Sequence, residues 1–299
     1  MAVRIGINPI TWTNDDLPEL GGDIPLATCL AEARQAGFSG IEMGGKFPRT
    51  AEALRPMMAR HHLLLVSGWF DGRLLELGLE AEWRAVQAHL TLLREMGCRH
   101  IVYADTSRRS YGDHFAPISR RPTLALGEWP RYGRELTALA ERMRDVGVTM
   151  AFHHHMGTFV ETAPEVDHLM AATGPAVGLL FDSGHSAFAG DDPVALVRRH
   201  AVRIVHVHCK DTRQAVLDDA RRRDGSFMQA VLDGVFTVPG DGSVDFHSIL
   251  AALKEAGYGG WLVVEAEQDP NKAHPLTYAR MGFDNLCRMS SKAGFMVER

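Results

Sequence analysis

The chain has 299 residues, 45% of them hydrophobic and 23% charged, with a net charge of −5 at pH 7 and a pI near 6.3. That composition belongs to an ordinary soluble globular protein able to bury a sizeable core. The acidic balance argues against nucleic acid as a partner, since the dense basic run Arg221-Arg222-Arg223 is answered by Asp218, Asp219 and Asp224. No apolar run approaches a membrane span, and Cys29, Cys98, Cys209 and Cys287 form no CxxC pair. A cytoplasmic, reducing setting is therefore expected, with no disulfide framework and no membrane contact.

In chain order, short apolar runs alternate with stretches of period near 3.6. The pattern predicts a strand over Arg4–Asn8, a helix over Ile24–Ala36, a strand over Gly40–Gly44 and a helix over Ala51–His61. Strand Leu63–Trp69, helix Glu80–Met96, strand His100–Asp105 and helix Glu128–Val146 follow. The second half repeats the scheme with strands Thr149–His155, Val177–Asp182, Arg203–His208 and Gly260–Glu265, and helices Pro164–Ala172, Pro193–His200, Asp245–Ala256 and His274–Met289. Gly37, Gly97, Gly147 and Gly257 each end a helix just before a strand, so one junction is reused. Eight βα units without a linker predict a single-domain α/β protein, a (β/α)8 TIM barrel spanning residues 1–299, with its active site at the C-terminal strand ends. No GxGxxG opens a helix after the first strand, which disfavours a doubly wound sheet. Two long connections, 106–127 and 211–243, follow strands and would overhang the mouth as lids that could also meet a second subunit of a homo-oligomer.

The last four predicted strands end in residues that bind metals: His153 and His155 with Glu161 beyond, then Asp182, His208 and Glu265. Side chains alternate across a strand, and the outer face of a barrel strand must be apolar to meet helices. Placing Val177, Leu179 and Phe181 outside turns Asp182 inward. Placing Val205, Val207 and Cys209 outside leaves His206, His208 and Lys210 inside, and the same test turns Glu265, Glu267, His153, His155, Asn8, Glu42 and Asp105 inward. A single inward histidine or aspartate is usually a hydrogen-bonded rim residue. Four such strands together are harder to explain without a cation, because several unpaired buried carboxylates would each cost several kcal/mol. Carboxylate oxygen with imidazole nitrogen suits Mn²⁺ or Co²⁺, with Zn²⁺ and Mg²⁺ as alternatives.

The segments Gly6-Ile7-Asn8-Pro9-Ile10-Thr11-Trp12, Gly40-Ile41-Glu42-Met43-Gly44, His153-His154-His155-Met156-Gly157-Thr158, Phe181-Asp182-Ser183-Gly184-His185, His206-Val207-His208-Cys209-Lys210-Asp211 and Val264-Glu265 resemble the sugar-phosphate isomerase/epimerase superfamily of xylose-isomerase-like barrels. The first and third are most similar to its inosose dehydratase branch. The resemblance implies loss of water from 2-keto-myo-inositol (scyllo-inosose) to give a trihydroxycyclohexane-1,2-dione in inositol catabolism. It also implies glutathione as a further cofactor. Carried over residue by residue, it assigns a divalent cation to Asp182, His208 and Glu265. Where many relatives have a glutamate at the end of strand five this chain has His153, and Glu161, eight residues on, is favoured to loop back as the fourth ligand, with a histidine of 153–155 as the alternative. His153 and His155 then join Asn8, Trp12 and Glu42 in contact with the substrate.

Removing a proton beside a ketone and then expelling a β-hydroxyl needs proton-transfer groups, for which His185 and Lys210 are the candidates, with a lowered pKa expected for Lys210 beside a cation. A sugar isomerase or ketose 3-epimerase is the alternative on the same site. A metal-dependent endonuclease would need a basic rim, and a non-catalytic sugar-binding barrel would keep its ligand affinity without metal.

Overall fold

The computed structural model describes residues 1–298. The eight apolar runs form parallel strands β1 (Ala2–Ile7), β2 (Gly40–Met43), β3 (Leu64–Gly72), β4 (His100–Asp105), β5 (Thr149–His153), β6 (Val177–Asp182), β7 (Ile204–Cys209) and β8 (Gly260–Val264). They pair in sequence order, and β8 returns to β1 with Val3 opposite Gly260 and Ile7 opposite Val264, so the sheet closes. Eight helices ring it: Leu26–Ala36, Ala51–Arg60, Leu79–Glu95, Trp129–Asp145, Ala163–Ala172, Pro193–His200, Phe246–Glu255 and Pro275–Lys292. The expected TIM barrel is therefore observed, with element bounds shifted by a few residues at most ends.

Local chemistry explains where these elements start and stop. Asp245 accepts a hydrogen bond from Ser248 N at 3.0 Å and Asp192 one from Val194 N at 2.9 Å, while Thr162 and Glu165 form a reciprocal capping box. Gly37, Gly97, Gly147 and Gly257 take φ of 111°, 82°, 89° and 82°, the left-handed turn that lets each helix stop and feed the next strand.

Between sheet and helices lies the main core, to which Ile5, Ile41, Ile101, Tyr103, Phe152, Phe181, Val207 and Leu262 contribute from the strands. Inside the barrel a smaller apolar layer of Val102, Ala151 and Leu180 packs with Trp69 and Val205. Below the strand ends the Trp261 ring sits against Gly6 and Gly40; a Cβ at Gly40 would lie 2.6 Å from Val66 Cγ2 and 2.7 Å from the indole. This floor confines polar chemistry to the upper layers.

Two assignments of strand face are corrected, one outward and one inward. The register shifts between Leu179 and Leu180, which face Ile204 and His206, so the skipped Val205 turns into the barrel. Asp105 points outward: it accepts hydrogen bonds from Leu75 N (3.1 Å) and Ser107 N (3.0 Å) on the same strand face as Tyr103. In β4 both faces are apolar, which removes the contrast that parity needs.

The connection 211–243 is no plain loop. It holds helices Gln214–Arg223 and Phe227–Leu232 and a short antiparallel pair, Asp211–Thr212 with Phe236–Thr237. Its Asp224 accepts hydrogen bonds from Ser119 N (3.0 Å) and Ser119 Oγ (2.6 Å), and Ser226 bridges Pro117, so the two long connections are joined. A short helix Ser183–Ala189 and a C-terminal strand Met296–Glu298, parallel to β1, were not expected. No helix among the described residues is long and apolar enough to cross a membrane.

Because no free space surrounds Gly40, a Gly40→Ala protein should be less stable by about 1–3 kcal/mol through overpacking against Trp261 and Val66. Urea unfolding followed by far-UV circular dichroism measures this, and an unchanged midpoint would contradict the tight floor.

Candidate active site

β5 and β6 end at His153 and Asp182, His208 is the last residue but one of β7, and Glu265 follows β8, so the closed sheet brings four metal-binding groups together. One donor atom from each lies within 4.8 Å of all the others, and all four residues are buried. His153 Nε2 is 3.8 Å and His208 Nδ1 3.6 Å from Asp182 Oδ2, and His208 Nδ1 is 2.6 Å from Glu265 Oε2. Asp182 Oδ2 and His208 Nδ1 nonetheless have no aligned hydrogen-bond partner. His153 donates from Nδ1 to the His154 carbonyl at 2.5 Å, which leaves its Nε2 lone pair facing the cluster. Two imidazole nitrogens and two carboxylates converging with orphaned atoms fit a divalent cation.

A second layer supports the first. Glu42 Oε1 accepts from His206 Nε2 (2.8 Å) and Ser67 Oγ (2.5 Å), and His208 Nε2 lies 3.1 Å from Glu42 Oε2. Asn8 Nδ2 donates to Glu42 Oε2 at 2.8 Å and to Glu265 Oε2 at 3.2 Å. Lys210, fully buried, places Nζ 2.8 Å from Glu265 Oε1, 3.0 Å from His185 Nε2 and 3.9 Å from Glu267 Oε1. Its aliphatic stem runs beside Gly184, where a Cβ would lie 2.5 Å from Lys210 Cγ, and its ammonium lies over Phe236.

Electrostatics follow from this packing. Burial pushes the Lys210 ammonium down, but Glu265, Glu267 and Asp182 outweigh it and hold it above its ordinary range, a balance among protein groups to which a cation beside Lys210 would add an opposing charge. Burial likewise opposes charge on His208, and Glu265 and Glu42 overcome it, which makes a cation compete there with a proton. Burial drives His155 down to about 4 and His185 well below the usual histidine range. For Glu267, burial together with Glu265, Asp16 and Asp182 outweighs Lys210 and raises the carboxyl to about 7.

Above the cluster opens a cavity of about 600 Å³, of a size suited to a small ligand. Asn8, His153, His155, Glu265 and Glu267 line its base, and Trp69, Asp16, Asp71, Arg49 and Arg109 its walls. Trp69 presents its edge to His153 and His155 with ring centroids 5.5 and 5.6 Å away. Arg109 bridges from the 106–127 connection to Asp71 at 3.3 Å and to Tyr111 Oη at 2.8 Å. Sequence reading turned Glu267 inward without giving it a role, and it missed Trp69, Asp16, Asp71 and Arg109. For Glu267 the signal was present, two residues past Glu265 on one strand face; Trp69 and Asp71 lie at the end of β3, whereas Asp16 and Arg109 come from loops that carry no periodicity.

Three further assignments are corrected by position. Glu161 does not loop back: Oε1 meets Arg121 Nε at 3.2 Å, Oε2 accepts from Gly157 N at 2.7 Å, and His153 takes the fourth corner. Trp12 donates from Nε1 to Glu32 at 2.7 Å and faces a separate groove lined by Asn271 and His274. Glu42 is 2% exposed beneath the cavity, out of a substrate's reach. Neither His185 nor Lys210 lines the cavity wall; both sit behind Glu265, His155 and Glu267.

Residues 30–288 match the family of xylose isomerase-like TIM barrels. The chain is 64% identical over 297 residues to the rhizopine catabolism protein MocC of Rhizobium meliloti, covering 99% of this chain and 91% of that protein. It is 43% identical over 279 residues to inosose dehydratase of Geobacillus thermodenitrificans, covering 93% and 94%. Among solved structures, the IolI protein with a bound zinc atom superposes with a TM-score of 0.70 at 19% identity, over 98% of this chain and all of that one, a likeness of fold.

The position of Glu161 yields a discriminating test. Burial, despite Arg121, raises its carboxyl to about 7 from 4.5. Its contribution to stability is therefore fully present below pH 4.5 and is lost as the pH rises through about 7, an effect of up to ~3 kcal/mol. Glu161→Gln should remove this dependence, raise the unfolding midpoint above pH 7 and leave divalent-metal content unchanged, whereas His153→Ala should lose metal. Loss of metal in Glu161→Gln with retention in His153→Ala would restore Glu161 as the ligand.

Proposed function

Because the chain belongs to the inosose dehydratase family, within the xylose isomerase-like TIM barrels, we propose that it is a divalent-cation-dependent hydro-lyase that converts 2-keto-myo-inositol to a trihydroxycyclohexane-1,2-dione in inositol catabolism. The observation that carries this reading is the buried His153–Asp182–His208–Glu265 cluster opening onto a polar cavity that also contains the protonatable Glu267. Those four residues would hold the cation, Mn²⁺ or Co²⁺ in the first instance and Zn²⁺ or Mg²⁺ otherwise. When bound, it supplies Lewis-acid polarisation of the ketone beside the reacting C–H bond.

The rest of the chemistry falls to side chains. The reaction removes a proton from the carbon next to the ketone, and the β-hydroxyl then leaves with a proton as water. Lys210 and His185 are the proposed proton-transfer groups. Because both lie behind the cavity wall, Glu267, 3.9 Å from the Lys210 ammonium and with Oε2 unpartnered, is the group through which they would meet a substrate. Asn8, His153 and His155 at the base, with the edge of Trp69, would orient the ring, and Arg109 with Asp16 and Asp71 would meet hydroxyls on its far side. For glutathione, family resemblance is the sole support.

A second reading concerns the physiological substrate: the 64% identity to a rhizopine catabolism protein favours a compound met in that route. A sugar isomerase or ketose 3-epimerase would share the proton abstraction and expel no water.

Product analysis decides among these. Inosose deuterated at the carbon next to the ketone should lose its label, and a diketone absorbing in the ultraviolet should appear. Replacing Lys210 with Met or His185 with Ala should lower kcat by on the order of 10²–10⁴. An epimer or ring-opened isomer as main product would refute the dehydratase reading, and full activity in both variants would remove these residues from proton transfer.

A further inference from the structure

Glu42 is a buried carboxylate that receives hydrogen bonds from four side chains and lines no part of the cavity. Four side chains point donors at it: Ser67 Oγ (2.5 Å), His206 Nε2 (2.8 Å), Asn8 Nδ2 (2.8 Å) and His208 Nε2 (3.1 Å). All four contacts require an acceptor, and an ionised carboxylate is the side chain that only accepts. Asn8 cannot reverse its amide, because Oδ1 is committed to Ile10 N at 2.9 Å and caps the turn that follows β1. The His206 ring lies between the His208 ring (5.4 Å) and the His100 ring (5.9 Å), which fixes it from both sides.

Two consequences reach the cluster above. With Nε2 of His208 donating to Glu42, Nδ1 is the nitrogen whose proton a cation would displace, and Nδ1 is the atom that faces Asp182 and Glu265. Asn8, bound to Glu42, reaches on to Glu265 Oε2 at 3.2 Å. One carboxylate thus sets the tautomer of one candidate ligand directly and orients a second through an amide.

We propose that Glu42 is a positioning residue for cation binding, one that fixes His208 as an Nδ1 ligand and aligns Glu265. This rests on the reading of His153, Asp182, His208 and Glu265 as the cation's ligands. An amide at position 42 would set an NH₂ group against at least one of the four donors, and the misfit would propagate to His208 or to Asn8.

The test uses Co²⁺ alone as probe, titrated into metal-stripped full-length protein in competition with a chromophoric chelator and followed by its visible d–d absorption. Glu42→Gln should weaken Co²⁺ affinity by about 10- to 100-fold and alter the d–d bands, since the geometry at His208 changes. Glu42→Asp, which keeps the charge and shortens the reach, should bind with intermediate affinity and a spectrum nearer wild type; it carries the test if Glu42→Gln does not fold. Wild-type affinity and spectrum in either folded variant would overturn the proposal. Absence of Co²⁺ binding by the wild-type protein would instead overturn the cation reading beneath it.

Discussion

Everything at the mouth of this barrel depends on how its buried charges are balanced. Asp182 and Glu265 lie 3.9 and 2.8 Å from one ammonium, Lys210, Glu42 meets His208 beside them, and all of these groups are almost wholly excluded from water. Uncompensated charge in such a place costs several kcal/mol per group, so the surplus of acid has to be met. His208, drawn between Glu42 and Glu265, can meet part of it with a proton, and a divalent cation can meet all of it. Glu267 answers the same pressure by holding its proton to near neutrality. The ligand geometry, the position of Lys210 and the protonation of the cavity carboxyl are therefore one arrangement.

Much of this was legible in the amino-acid sequence because barrel strands impose a period of two. In β6 and β8 one parity is wholly apolar, Val177, Leu179 and Phe181 in the first and Leu262 and Val264 in the second, and the acids fall on the other, so Asp182 and Glu265 could be placed inward by inspection. The method failed where its premise failed. β4 is apolar on both faces, and Asp105 was assigned to the wrong one. β7 carries an irregularity at Val205 that shifts its first residues and leaves His206 and His208 in step.

Off the strands, spacing in the chain says little about spacing in space. Glu161 sits only eight residues past His153, yet the turn at Gly157 carries it to Arg121 and the 106–127 connection. Trp12 follows a motif whose Asn8 does reach the site, but one turn of helix later the indole has swung round to Glu32. The resemblance located the motifs correctly without distinguishing residues that touch the cavity from residues that hold up those that do, as Glu42 shows.

The floor formed by Trp261 over Gly6 and Gly40, with Val102, Ala151 and Leu180 above it, makes the barrel a blind vessel. Anything set free at the strand ends departs through the doorway by which the reactant arrived. The 106–127 connection, whose Arg109 forms part of that doorway, is tied through Ser119 to Asp224 of 211–243, so the rim of the vessel is braced from a second side.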